Sequence, residues 1–222
     1  MEYSKIYNWL FDHRHPIFLA GLIIFFILPE VLEKIFLINV PFQIFITILI
    51  VTSIMIIQTS PRKRILSYVL VLLLVIFIFI MNNYKNTASL QFTAYILLFI
   101  YFSFITFFLF KDLLRSKKVT ASVIIGVFTG YFMIGVISFF IYAFLELAYP
   151  DTLNIDLTSE KGVEDIFYFS FITLTTIGYG DFAPTSALGQ RMAILEGLTG
   201  QFYLAIVMAI IVGKFLSHKS EN

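Results

Sequence analysis

The chain has 222 residues, of which 59% are hydrophobic, 18% aromatic and 13% charged. This apolar share is far above that of a soluble globular domain, so the composition predicts a membrane protein. A formal net charge of +1 gives no support for nucleic-acid binding, and the absence of cysteine excludes disulfides, thiolate catalysis and thiol-ligated metals.

The amino-terminal stretch up to Pro16 is polar and lacks the small-residue cleavage site of a signal peptide, so we expect it to be retained and cytosolic. Apolar runs follow, most of them within or near the roughly 20 residues that a membrane-spanning helix needs. They predict six spans, at Ile17 to Ile38, Val40 to Ile57, Ile65 to Met81, Phe92 to Phe110, Val119 to Leu147 and Met192 to Leu216.

The first of these runs is interrupted by a proline and by charged residues: Pro29, Glu30, Glu33 and Lys34. These interruptions predict a helix that begins near Trp9 and ends at Pro29. A short external turn would then connect it to the second run.

Positive charges in two short loops predict the orientation of the chain. The bases between the second and third runs, and between the fourth and fifth, are Arg62, Lys63, Arg64, Lys111, Arg115, Lys117 and Lys118. Because Lys and Arg in short loops stay on the cytoplasmic side during insertion, we expect these loops and both termini to be cytoplasmic. The loop after the fifth run is acidic, and it would either concentrate cations at an outer mouth or be an ordinary solvated loop.

Between the fifth and sixth runs, the 12 residues from Val163 to Leu174 have the pattern of a short helix. Such a helix is too short to cross a bilayer, so we expect it to re-enter the membrane and turn back. The chain that follows must then line a water-filled path, because unsatisfied backbone groups cannot face lipid. Glu164 and Asp165 suit the positive end of this helix, which leaves its negative end directed towards the membrane centre.

The residues after this helix are Thr175, Thr176, Ile177, Gly178, Tyr179, Gly180 and Asp181. The two glycines accept backbone angles that let successive carbonyl groups point towards one axis. Such oxygens, with the Thr176 hydroxyl, can replace the water shell of a dehydrated monovalent cation. Because one strand cannot encircle an ion, four copies of the chain are needed.

This motif resembles the filter signature of the potassium channel family, and the chain resembles compact prokaryotic six-transmembrane members that lack voltage-sensor arginines. The resemblance is strong over residues 119–216, whereas residues 1–118 match only as a four-helix addition. It implies that Thr176 to Gly180 bind potassium and that Thr175 and Asp181 support this filter. Asp181 would bond to a side chain of the pore helix, for which Tyr168 is the candidate.

The implied fold is an all-α membrane protein with six transmembrane helices, a re-entrant pore helix and an extended filter, assembled as a homotetramer. Residues 1–118 would form a four-helix domain with a voltage-sensor layout, and residues 119–222 would form the pore domain. The expected function is passive, potassium-selective transport across the cytoplasmic membrane of a prokaryote. Transported potassium ions, membrane lipid and sister subunits are the expected ligands and partners.

The sixth run contains Gly200, which by its distance after the filter resembles the gating hinge of the family. Close packing is the alternative, since small residues also let membrane helices approach one another. Glu196 is a carboxylate at membrane depth and needs a partner or a water path. We expect it to act structurally behind the filter rather than to contact ions. Gln201 faces either the central cavity or a neighbouring helix.

The fourth run, Phe92 to Phe110, contains no Lys or Arg. Voltage-gated relatives carry a base at every third position of this span, because each charge moved through the field contributes about 2.3 kcal/mol per 100 mV. We therefore expect weak or no conventional voltage dependence. Few residues follow Leu216, so we also expect no cytoplasmic ligand-binding domain in this chain, which is either a minimal channel gated within its membrane part or a piece of a longer one.

Three other functions share part of this pattern. A less selective cation channel would have the same architecture, but the Tyr179 ring argues against it through the family resemblance. A potassium transporter would carry several re-entrant loops, whereas the sequence has one. A membrane enzyme would need a nucleophile with a base, or a ligand cluster. His13, His15 and His218 instead lie in polar terminal segments, where we expect solvated side chains.

Overall fold

The computed structural model of the chain describes residues 13–36, 42–53, 56, 68, 71–77, 88–116, 120–157, 159 and 161–220. Within these residues the regular structure is helical, and the extended chain pairs only in an isolated bridge between Leu153 and Pro184. The prediction of an all-α protein is therefore confirmed for this part of the chain. The helices are α1 (Arg14–Phe36), α2 (Phe42–Ser53), α3 (Ala88–Arg115), α4 (Ala121–Ala148), α5 (Gly162–Leu174) and α6 (Ala187–Ser220).

Helices α3 and α4 contain the two segments, Leu90–Arg115 and Ala121–Ala148, that are long and apolar enough to cross a membrane among the described residues. They coincide with the fourth and fifth predicted spans. Helices α1, α2 and α6 and a helical segment at residues 71–77 lie where the other spans are predicted. The count of six spans stays a prediction. The loop bases Arg62, Lys63, Arg64, Lys117 and Lys118 lie outside the described residues.

The prediction that the first helix ends at Pro29 is wrong, because α1 continues to Phe36. A proline inside a helix removes one backbone hydrogen bond, but its fixed φ is already helical. Helix α1 packs against α2, and tertiary packing outweighs local propensity. Trp9, where the helix was predicted to begin, lies outside the described residues.

The described residues fall into two compact units, and helices α3 and α4 contribute to both. The first unit comprises Met1–Lys85, Phe107–Ser116 and Thr120–Gly130, and the second comprises Asn86–Thr106, Lys117–Val119 and Tyr131–Asn222, in each case as far as the chain is described. The predicted division into residues 1–118 and 119–222 stays a prediction.

In the first unit, α1 and α2 approach closely at Gly21, where an added Cβ would lie 2.5 Å from the Thr52 hydroxyl oxygen. An ion pair joins α1 to α3, with Arg14 Nη2 2.7 Å from Asp112 Oδ2. The expectation that His15 is solvated is wrong, since this residue is 2% exposed and its Nε2 lies 3.1 Å from the same carboxylate oxygen. The polar terminal segment is already helical here and packs against α3.

In the second unit, aromatic rings join α4 to the helices on either side of it. Phe102 of α3 stacks on Phe140 at a centroid distance of 5.6 Å. On the other side, Tyr142 meets Phe169 of α5 edge-on at 5.0 Å. Each such pair contributes roughly 0.5–1.5 kcal/mol beyond the burial of apolar area. These contacts fix α5 against a rigid, buried face of α4.

Candidate ion-binding site

Helix α5 carries the motif segment and is held on its apolar side. Among its 13 residues, the side chains of Ile166, Phe169 and Ile172 are buried, and the first turn carries Glu164 and Asp165. Each fully buried Ile or Phe side chain contributes roughly 1.5–3 kcal/mol. Partial burial raises the pKa of Asp165 above its usual range, and the nearby Lys161 ammonium opposes that shift. The packing therefore sets the place at which α5 ends and the next segment begins.

The chain reverses direction directly after α5. The carbonyl oxygen of Ile172 accepts hydrogen bonds from the backbone N–H groups of Ile177 at 2.9 Å and Gly178 at 3.2 Å. The Thr176 N–H donates to the Thr173 carbonyl at 3.0 Å. These bonds satisfy the carbonyls that a helix end leaves open. They also bring residues 176–180 back alongside the helix that precedes them.

The filter strand, which we define as Thr176 to Gly180, alternates in backbone handedness. The φ angles are positive at Thr176 (58°), Gly178 (53°) and Gly180 (83°), whereas Ile177 and Tyr179 are not among the positive-φ residues. In an ordinary β-strand successive carbonyls point to opposite sides, and reversing φ at every second residue brings them to one side. A left-handed residue with a Cβ costs about 1–2 kcal/mol, so Thr176 holds local strain.

The filter strand is uncovered in the single chain. Every residue from Thr175 to Asp181 is exposed. The exposed fraction is 54% for Ile177 and 72% for Tyr179. Yet the segments before and after it are hydrogen-bonded and packed. An apolar side chain held in a fixed, exposed position indicates that something outside this chain covers it.

Tyr168 and Asp181 are brought together by the turn. Tyr168 lies on α5, half-buried, and its hydroxyl shares a side-chain hydrogen bond with the Asp181 carboxylate. Partial desolvation, followed by this hydrogen bond, raises the pKa of Tyr168 above its ordinary value, so the hydroxyl stays protonated and donates. The Tyr168 ring also meets Phe182 edge-on at 6.0 Å. Both contacts fix the end of the filter strand against α5.

Two further residues hold the loop after α4, and the sequence analysis does not identify them. The buried Glu146 carboxylate accepts hydrogen bonds from the backbone N–H groups of Asp151 at 2.8 Å and Leu153 at 2.9 Å. Asn154 donates to the Asp181 carbonyl at 3.3 Å and accepts from the Ala183 N–H at 2.6 Å. A lone carboxylate at the end of an apolar run was the available signal for Glu146.

Glu196 lies on α6 and is 5% exposed. The hydroxyls of Tyr142 and Ser138 on α4 are its polar neighbours. Neither carboxylate oxygen has a partner with full hydrogen-bond geometry among the described residues. Tyr142 also packs on Phe169 of α5, so Glu196 and α5 share a neighbour on α4. Its structural role behind the filter stays a prediction.

Gly200, the candidate hinge, lies against the carboxyl end of α5. A Cβ at this position would collide with the carbonyl oxygen of Leu174, whereas one at Gly213 would meet nothing within 4 Å. The same Leu174 carbonyl accepts a hydrogen bond from the Tyr131 hydroxyl at 3.1 Å. Close approach of α6 to α5 therefore accounts for the glycine, and a hinge there stays a prediction. Gln201, the next residue, is exposed.

Comparison with known proteins shows what this segment is similar to. Residues 131–217 match a family model described as an ion channel. The human voltage-gated potassium channel regulatory subunit KCNF1 is 28% identical over 99 residues, which is 44% of this chain and 19% of that protein. The inward rectifier potassium channel Kirbac3.1 of Paramagnetospirillum magnetotacticum is 39% identical over 51 residues, 23% of this chain and 17% of the relative. No solved structure matches.

A third relative, the potassium voltage-gated channel protein Shal of Drosophila melanogaster, is 28% identical over 69 residues, 31% of this chain and 12% of its own length. The chain thus spans about a fifth or less of these relatives. The family match covers α5, the filter strand and α6, together with most of α4. It indicates a channel and not an enzyme. Residues 131–217 are accordingly similar to ion channels, and the named relatives are potassium channel proteins.

Proposed function

We propose that four copies of this chain form a potassium-selective pore through which potassium ions pass passively. The observation that supports this most directly is the alternation of φ along the filter strand, from Thr176 to Gly180. Because it brings backbone carbonyls to one side, four such strands around one axis would form successive rings of oxygen atoms. Rings of this kind replace the hydration shell of a potassium ion.

The helix dipole supports a cation at the centre of such a tetramer. Helix α5 has acidic residues in its first turn and none of its last-turn residues is basic. Its carboxyl end is the negative end of the helix dipole, which is equivalent to about half an elementary charge. Four of these ends directed at one cavity would lower the energy of a dehydrated cation below the filter.

Selectivity for potassium over sodium requires that the oxygen rings hold their spacing. The Tyr168–Asp181 bond fixes one end of the filter strand and the Ile172 carbonyl fixes the other. Asn154, in the loop after α4, forms hydrogen bonds at the Asp181 end of the filter strand. A sodium ion, being smaller, would need the oxygens to move inwards against these contacts. In the tetramer the exposed Ile177 and Tyr179 side chains would pack against pore helices and so resist that movement.

The remaining features of the proposal concern topology and gating. The chain crosses the membrane six times, with both termini in the cytoplasm, in the cell membrane of a prokaryote.

Opening has no conventional voltage sensor, because α3 carries no basic residue between residues 92 and 110. The charges that follow, Lys111 and Arg115, lie at the helix end. Lys111 rests over the rings of Phe107 and Phe108, at 5.9 and 5.6 Å, as expected of an anchor at the membrane interface.

Ion flux into liposomes tests this function. The purified chain is reconstituted with potassium chloride inside, and uptake of radioactive rubidium, a potassium analogue, is driven by the resulting gradient. We expect rubidium uptake that added barium reduces and that an equal sodium gradient does not drive. Equal uptake of sodium would replace the proposal with a non-selective cation pore. Absence of uptake, from protein that elutes as a tetramer, would contradict a conducting pore.

A further inference from the structure

A polar cavity of about 310 Å³ lies within the first unit, at the ends of three helices. Arg14 is the first residue of α1, Arg115 is the last of α3, and Thr120 directly precedes α4. All three line the cavity. Because the helices themselves are apolar, the cavity lies at the level where the apolar helices end and the polar loops begin. In a membrane protein that level is the layer of lipid headgroups.

The charges that line the cavity favour an anion. Two arginines, Arg14 and Arg115, and one carboxylate, Asp112, line the cavity. Arg14 is already joined to Asp112 through Nε at 3.2 Å and Nη2 at 2.7 Å. Arg115, three residues further along α3 and exposed, adds a second guanidinium. The lining therefore carries a net positive charge, and arginine binds phosphate through paired N–H donors.

The amino terminus of α4 adds to this attraction. Thr120 caps the helix, since its hydroxyl accepts a hydrogen bond from the Val123 N–H at 3.3 Å. Ser122, in the first turn, contributes a hydroxyl to the cavity. The positive end of the helix dipole points in the same direction and favours a negative charge. Ser116 supplies another hydroxyl from the opposite rim.

A buried histidine forms part of the cavity wall. His15 lines the cavity and is 2% exposed, and its Nδ1 atom has no hydrogen-bond partner among the described residues. Its Nε2 lies 3.1 Å from the Asp112 carboxylate. Gly126 makes room for the ring, because a Cβ there would approach Nδ1 to 3.1 Å. The Nδ1 atom therefore lies against α4, whereas Nε2 faces Asp112, which also lines the cavity.

We infer that this cavity binds a phosphate group through Arg115, Arg14 and the amino terminus of α4. The phosphate belongs either to the headgroup of an anionic phospholipid or to a soluble phosphate ester or ion. Basic pockets between membrane helices are suited to anionic headgroups. The site lies apart from the filter strand in sequence and does not depend on potassium selectivity.

The test measures binding of two probes to the purified full-length chain by microscale thermophoresis. The probes are dioctanoyl phosphatidic acid and inorganic phosphate, with dioctanoyl glycerol as the uncharged control. We expect saturable binding of phosphatidic acid and none of dioctanoyl glycerol. Arg115→Gln should weaken the phosphatidic acid affinity about tenfold or more, as expected for loss of a charge-assisted hydrogen bond. Arg115→Lys should recover part of it.

Lys111→Gln is the matched control, because it removes one positive charge from the same helix, one turn away and outside the cavity lining. We expect less than a twofold change for this variant. Binding of inorganic phosphate with the same dependence on Arg115 would identify a soluble anion as the ligand, and binding of the lipid alone would identify a headgroup. Equal losses for Arg115→Gln and Lys111→Gln would overturn the site in favour of general surface charge. Absence of saturable binding by both probes would overturn it outright.

Discussion

Gly178 has a positive φ, whereas Tyr179, the next residue, does not. This change in backbone handedness defines the direction of the Gly178 carbonyl group. Nothing lies within 4 Å of the position that a Gly178 Cβ would take in the single chain. The demand for glycine is therefore conformational and does not come from crowding within the subunit. An L-residue there would cost about 1–2 kcal/mol and would favour turning the carbonyl away.

Gly178→Ala should abolish the preference for potassium while leaving the helices intact. The added Cβ favours a negative φ, which breaks the alternation and removes one ring of oxygens from the pore. Rubidium and sodium uptake into liposomes measure this, and helix content by circular dichroism should be unchanged. Gly213→Ala, at an open position of α6, is the control and should keep selectivity. A selective Gly178→Ala channel would show that the alternation of φ is not needed.

Tyr168→Phe should weaken the outer end of the filter, because Asp181 then loses the hydroxyl that bonds to it. We expect a lower thermal midpoint of the tetramer in potassium and a faster decline of current during sustained opening. Asp181→Asn should act in the same direction. If the two residues act through one bond, the double variant should be little worse than either single one. Fully additive losses would exclude a shared bond.

Three other parts of the chain hold α5 and the segment that follows it. Helix α4 packs on it through aromatic rings, α6 approaches its carboxyl end, and the loop after α4 reaches Asp181 through Asn154. The loop itself is pinned by the buried Glu146 carboxylate. Hydrogen bonds to a charged group contribute roughly 1.5–3 kcal/mol each. The loop is thus a support of the filter and not only a linker.

Gly200→Ala should destabilise the pore segment by about 1–3 kcal/mol, as expected for overpacking. The new methyl group would collide with the Leu174 carbonyl and push α6 away from α5. Gly213→Ala, which meets open space, should be neutral or stabilising by up to about 1 kcal/mol through helix propensity. Thermal unfolding of the two variants in detergent makes the comparison. Equal stability would argue against close approach and leave the hinge as the reason for Gly200.

The sequence was enough to predict α5 to within a residue of its observed start, because helix length and an acidic first turn are local features. It was not enough for α1, where packing against α2 carries the helix past Pro29. Nor did it identify the bonds of Glu146 and Asn154, which join positions up to 29 residues apart. Burial of His15 depends on a contact with α3, 97 residues away. Such contacts leave no local pattern.

At the scale of the whole molecule, the proposed tetramer accounts for what a single chain leaves uncovered. The filter strand is exposed, and so are large apolar side chains of α6 such as Leu198, Phe202 and Ile206. Neighbouring subunits and lipid would cover them.

We expect an open probability that changes little with voltage. Moving one charge through 100 mV is worth about 2.3 kcal/mol, and α3 offers no basic residue between residues 92 and 110 to move. Single-channel recording measures the open probability at voltages between about −100 and +100 mV. Charged sensors respond on the order of this range. A tenfold change in open probability over that interval would mean that charge elsewhere in the chain crosses the field.

The reversal potential of the purified chain in a planar bilayer decides whether Thr176 to Gly180 form a potassium-selective pore. Potassium chloride is placed on one side and sodium chloride on the other. We predict a reversal potential close to the potassium equilibrium value, lost in Gly178→Ala. A reversal potential near zero in the unaltered protein would contradict this prediction, because a pore with the proposed oxygen rings cannot pass both ions equally.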